Sequence, residues 1–103
     1  MVQSTTRISL SNTVVRSHQD LVISALDGET IMMSIQKGKF YGLDVVSGRI
    51  WELLQVPLSV SALVDHLMDE FNGERVDMEK DTLAFLDTLA AEGMLTIEAA
   101  PNR

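Results

Sequence analysis

The chain has 103 residues, of which 46% are apolar, enough for one domain built around a single packed core. It contains no cysteine, which removes disulfides, thiolate nucleophiles and cysteine metal sites together. Fifteen acidic against eight basic side chains give a net charge of -7, which repels phosphate backbones and anionic lipid surfaces. Neither nucleic acid nor a membrane is therefore an expected partner, and a peptide carrying some positive charge suits the chain better.

The opening "MVQSTTRISLSNTVV" mixes polar and apolar residues and lacks the continuous apolar run of a secretory signal. No stretch approaches the ~18 to 20 apolar residues of a membrane span, so a cytoplasmic protein is expected. Residues 1–19 read as an N-terminal segment in which "ISLSNTVVRS" supplies an extra strand, 20–98 as the domain proper, and 99–103 as a tail. "LVISAL" is a strand, and Asp27-Gly28 after it favours a tight hairpin turn. "TIMMSIQ" alternates, placing Ile31, Met33 and Ile35 on one face and Thr30, Met32, Ser34 and Gln36 on the other. A second turn at Lys37-Gly38 leads into a third strand, "KFYGL".

From Asp44 onward the signals are helical. Asp44 is placed to cap "VVSGRIWELLQ", whose apolar stripe is Val46, Ile50, Trp51 and Leu54, with Leu53 at its margin and Pro57 as the stop. Ser59 caps a second helix, with Leu58 and Leu63 spaced as a hydrophobic staple. Leu63, Val64, Leu67, Met68 and Phe71 form its buried face, and Asn72-Gly73 ends it. Asp77 is expected to cap the third helix, "MEKDTLAFLDTLAAE", which Gly93 closes; "MLTIE" can return as a short strand. Strands followed by three helices indicate an α+β fold with an antiparallel sheet against a helical bundle, in a winged helix-turn-helix outline.

Two features exceed what a core requires. On a helical wheel the third helix carries apolar residues round about half its circumference, against the ~100° that suffices for a surface helix. Either the domain buries this helix on two sides, or one flank faces the bundle while the other, with Leu83, Ala90 and Met94, lines a groove. The third strand, with one neighbour in a three-stranded meander, leaves an edge of unpaired N–H and C=O groups. Gly42 within it removes a side chain where another backbone can approach. An extended peptide can add itself to such an edge, unless the N-terminal segment or a second copy of the chain already covers it.

The run from Gly38 to Leu95 carries a resemblance: "GKFYGLD", then "IWELL", then a "VxxLVxxL" helix, then "DTLAFLDTLxxxGML". In that order and spacing these motifs resemble the PqqD family, small domains also called recognition elements for the precursors of ribosomally synthesised, modified peptides. The likeness covers Leu21 to Ile97. It implies a winged-helix-like fold of a three-stranded antiparallel sheet followed by three helices. It also implies a non-catalytic function, binding the leader segment of a precursor peptide and presenting it to modifying enzymes. In the family the leader adds to the third strand and packs on the third helix. By position these contributions fall on Lys39, Phe40, Tyr41, Gly42 and Leu43, and on Leu83, Leu86, Asp87 and Ala90. The aromatic strand running into "IWELL" is most similar to the stand-alone leader-binding proteins of lasso-peptide clusters, although the loop "QVPLS" lacks their acidic-Gly turn. Expected partners are then a lasso precursor leader, whose bound segment carries tyrosine, proline and leucine, together with a leader peptidase and a macrocycle-forming enzyme.

Rival readings find less support. A DNA-binding regulator needs a basic recognition surface, yet from Ser59 to Gly93 the only lysine or arginine residues are Arg75 and Lys80. An edge-strand homodimerisation module fits the free edge, and predicts edge-to-edge homodimers that are indifferent to leader peptides. No catalytic residue, metal site or cofactor is expected. The two histidines, His18 and His66, have no relay partner at a useful spacing, and Asp65, Asp69 and Glu70 read as a solvated helix face.

Overall fold

The computed structural model describes residues 8–17, 21–26, 29–35 and 37–98. The elements in chain order are β1 (Thr13–Arg16), β2 (Leu21–Leu26), β3 (Glu29–Ser34), β4 (Lys39–Leu43), α1 (Val45–Leu53), β5 (Leu58–Ser59), α2 (Val60–Glu70), α3 (Arg75–Ala91) and β6 (Leu95–Glu98). The expected α+β arrangement is present, with the strands divided between two antiparallel sheets. One is the meander β2-β3-β4, and the other has the order β5-β1-β6. The turn expected at Asp27-Gly28, His18 and the tail 99–103 lie outside the described residues.

The helix boundaries follow local chemistry. Asp44 accepts a hydrogen bond from the Ser47 amide (2.8 Å) and Ser59 from the Ala62 amide (3.0 Å), each satisfying a first-turn donor that has no partner inside its helix. Gly93 ends α3 at φ 75, a left-handed conformation that glycine takes without steric cost, and the Met94 amide returns to the Leu89 carbonyl at 2.9 Å. The start of α3 differs from expectation. The helix begins at Arg75, with the Glu74 carbonyl accepting from the Met78 amide (3.0 Å), so Asp77 lies inside the first turn. There its charge acts on the helix dipole instead of capping a free amide. Arg75 fixes this early start by pairing with Asp65 on α2 (2.7 Å) and Glu79 one turn along (3.0 Å).

Strand β3 stops at Ser34, two residues short of the expected Gln36. The Ser34 hydroxyl accepts from the Lys37 amide (3.2 Å) and its carbonyl from the Gly38 amide (2.8 Å), while Gln36 lies outside the described residues. The register pairs Met32 with Tyr41 and with Ile23, and Thr30 with Leu43. The more polar face of β3 is the one turned inward: Met32 and Ser34 are buried. Helix α1 sets this choice. A Cβ at Gly48 would stand 2.9 Å from the Thr30 hydroxyl oxygen, so the helix lies against β3 only because both residues are small there. The reverse face, with Ile31, Met33, Val22 and Phe40, points outward, and Phe40 is 71% exposed.

The core lies between the helices and both sheets. Val14, Met32, Leu54, Leu63, Leu67, Leu86 and Met94 are all fully buried in it, each contributing about 1.5–3 kcal/mol by leaving water. Strand β1 is fixed to the end of α1. The Arg16 amide donates to the Leu54 carbonyl (2.9 Å), and the Arg16 guanidinium lies 5.2 Å from the centroid of the Trp51 ring.

Candidate functional site

Strand β4 ends its sheet. Among the described residues nothing pairs with its outer edge. The described part of the N-terminal segment lies elsewhere, since β1 pairs with β5 and β6. Nothing stands within 4 Å of the place a Gly42 Cβ would occupy, so the fold itself does not demand glycine in this strand.

Beside that edge runs a groove of about 390 Å³. Tyr41, Gly42 and Leu43 form one wall and Phe85, Thr88, Leu89 and Glu92 of α3 the other, with Met32 and Met94 also in the lining and the start of α1 at one end. Most of this surface is apolar side chain beside unpaired backbone, the combination that an extended peptide can satisfy at both levels.

The expected residues divide between groove, core and solvent. Tyr41, Gly42 and Leu43 line the groove. Lys39 does not line it, although its Nζ stands 3.7 Å from a Glu92 carboxylate oxygen, and Phe40 faces away on the outer side of the sheet. On α3 none of Leu83, Leu86, Asp87 and Ala90 lines the groove. At about 3.6 residues per turn, Phe85, Thr88, Leu89 and Glu92 share one face of the helix. Leu83, Asp87 and Ala90 fall on the far one, and Leu86 points into the core at 0% exposure. Met94, named with the groove flank, does line it. Phe85 and Leu89 stand at the opposite end of the same apolar arc, and the aromatic residue type of Phe85 was the only signal the sequence offered there.

Glu92 had no signal in the sequence. Its carboxylate accepts from the Tyr41 hydroxyl (2.9 Å) and Lys37 Nζ (3.2 Å), while Lys37 Nζ also donates to the Glu92 carbonyl (2.6 Å). These contacts clasp the β3–β4 hairpin to the C-terminal end of α3, and a cation there also offsets the negative end of the helix dipole. The Tyr41 hydrogen bond, then that of Lys37, then the nearby charge of Lys39 hold Glu92 below the usual carboxylate range. Partial burial, followed by the bond to and the charge of Glu92, raises the Tyr41 hydroxyl above its ordinary 10.0.

The signs follow by linkage. Glu92, with its pKa lowered in the folded state, contributes stability that is present above the ordinary carboxylate range and lost as pH falls through its depressed value. Tyr41, with its pKa raised, contributes below 10.0 and loses that contribution as pH climbs through the raised value. Thermal melts of Glu92→Gln against the unaltered chain should therefore differ at neutral pH and converge in acid. Curves that stay parallel down to the acid limit would remove Glu92 from this role.

The family model described as coenzyme PQQ synthesis protein D (PqqD) matches residues 29–95. The chain belongs to the PqqD family. Two solved structures share the fold of this PqqD-family chain. TbiB1 in complex with the TbiA(beta) leader peptide is 32% identical, with 91% of this chain and 99% of that one covered and a TM-score of 0.62. Lasso peptide synthetase B1 complexed with the leader peptide is 20% identical, with 81% and 96% covered and a TM-score of 0.67. Among curated proteins none matches. Among the described residues no helix is long and apolar enough to cross a membrane.

Proposed function

We propose that this chain binds the leader segment of a ribosomally made precursor peptide, of the lasso type, as an added strand on β4. One observation carries the reading: an edge strand without a partner among the described residues borders an apolar groove, in a chain 32% identical to a protein solved with a leader peptide. The added backbone bonds the edge and sets the register. Alternate side chains enter the groove against Met32, Leu89 and Met94, where tyrosine, proline and leucine anchors gain most from leaving water.

The bound leader is then presented to a leader peptidase and a macrocycle-forming enzyme, the chain itself performing no chemistry. Two facts support this division of labour. His66 is exposed on α2 and lines neither wall of the groove, and the outward face of β2-β3-β4 offers Val22 and Phe40 to a further protein. The winged-helix outline does not favour DNA as the ligand, because Arg75 is already paired with Asp65 and Glu79.

A set of synthetic lasso-type leaders carrying the tyrosine, proline and leucine anchors, N-methylated at one backbone amide each, tests the strand addition. Methylation should weaken binding by about tenfold or more at every second residue of the paired segment and by little between, since each lost cross-strand bond leaves a carbonyl unsatisfied. Binding indifferent to methylation throughout, measured by fluorescence anisotropy, would exclude strand addition.

A further inference from the structure

The groove continues past the end of β4. Asp44, Ser47 and Phe85 also belong to a second depression, of about 570 Å³, between the first turn of α1, the α2–α3 turn and the N-terminal half of α3. Its apolar surface comes from Val46, Phe71, Met78 and Phe85. Four carboxylates, Asp44, Glu74, Asp77 and Asp81, stand round it, all exposed.

Among the described residues none of the four takes part in an ion pair. Nearby arginines are engaged elsewhere, Arg49 with Glu52 and Glu70, and Arg75 with Asp65 and Glu79. Asp77 and Asp81 are four apart on α3, a spacing at which like charges destabilise a helix. An independent observation lies in the same wall. Thr82 is 1% exposed, and its hydroxyl is the buried side-chain polar atom left without a hydrogen-bond partner among the described residues. Such an atom is rare in a folded chain and calls for a partner.

We infer that this depression receives a cationic side chain, arginine or lysine, of the peptide bound on β4. The inference rests on the peptide-binding reading and adds a specificity element to it. The aliphatic stem lies along Phe71, Met78 and Phe85, and the charged head sits at the exposed rim between Asp77 and Asp81. A side chain with a long apolar stem and a polar tip matches this surface at both ends. Continuity through Phe85 places the cationic residue just beyond the stretch paired with β4, at its Leu43 end. The charge complementarity speeds encounter as well as adding affinity.

The test is a double-mutant cycle with a synthetic leader that the unaltered chain binds. Each arginine or lysine of the leader is replaced in turn by norleucine, and each peptide is titrated against the unaltered chain and against Asp77→Asn/Asp81→Asn, whose exposed substitutions spare the core. Replacing one cationic residue should weaken binding by about tenfold, the double variant should do the same, and the two together should cost no more than either. Raising the salt to 0.5 M should shrink all three effects. Additive losses, no loss in the double variant, or a leader without a cationic residue next to its anchors each overturn the proposal. If the unaltered chain binds no such leader at all, the peptide-binding reading falls first and takes this one with it. If binding keeps its N-methyl pattern but shows no coupling, only the cationic pocket falls.

Discussion

Replacing Phe85 with alanine should lower affinity for a leader peptide about 30-fold, the equivalent of the ~2 kcal/mol that marks a binding hot spot. Phe85 is the α3 residue common to the groove beside β4 and the depression beyond it. It is only half-buried, so its ring stands partly in water and is open to contact from a peptide in the groove. Truncation should therefore cost less stability than the ~3–5 kcal/mol of a fully enclosed phenylalanine. Circular dichroism should show a folded domain, and calorimetric titration should show the lost affinity. Unchanged binding in a folded Phe85→Ala variant would move the peptide to another face of the molecule.

The neighbouring residue should behave in the opposite way. Leu86 is 0% exposed and packed within the core, so Leu86→Ala should cost about 2–5 kcal/mol. For a domain near 100 residues that lowers the melting temperature by roughly 10–30 °C, read from a thermal melt at 222 nm. At a temperature where this variant remains folded, its affinity for the leader should match the unaltered chain, because Leu86 lines neither depression. A variant that melts within a few degrees of the original yet loses the peptide would show that the two faces of α3 have been exchanged. Adjacent positions with opposite consequences thus test the helix orientation directly.

The Leu83, Leu86, Asp87 and Ala90 set shows where a one-dimensional reading of α3 stops. Its apolar arc is wide enough to serve two contacts, and helical periodicity gives no reason to prefer one end over the other. The structure resolves this through a segment far away in sequence. Strand β4 comes to lie along the Phe85 and Leu89 side, held there by the hydrogen bonds from Lys37 and Tyr41 to Glu92, which span 55 and 51 positions. No local pattern announces a hydrogen bond at that separation. Likewise Met32 and Ser34 occupy the buried face of β3, with Thr30 against Gly48 of α1, although the alternation alone made Ile31, Met33 and Ile35 the more apolar side.

What the sequence determined by itself was whatever depends on near neighbours. Asp44 and Ser59 cap their helices, Gly93 ends α3, the β2-β3-β4 meander precedes the helices, and carboxylates outnumber basic side chains. Each of these is a hydrogen bond, a backbone preference or a charge that acts within a few residues or over the whole surface. Tertiary structure decided the rest: that β1 pairs with β5 and β6 and leaves the β4 edge unpaired among the described residues, which flank of α3 faces that edge, and that acidic side chains from α1, the α2–α3 turn and α3 gather round one depression. Those outcomes depend on which distant surfaces exclude water from each other, and that choice is made only when the whole chain packs.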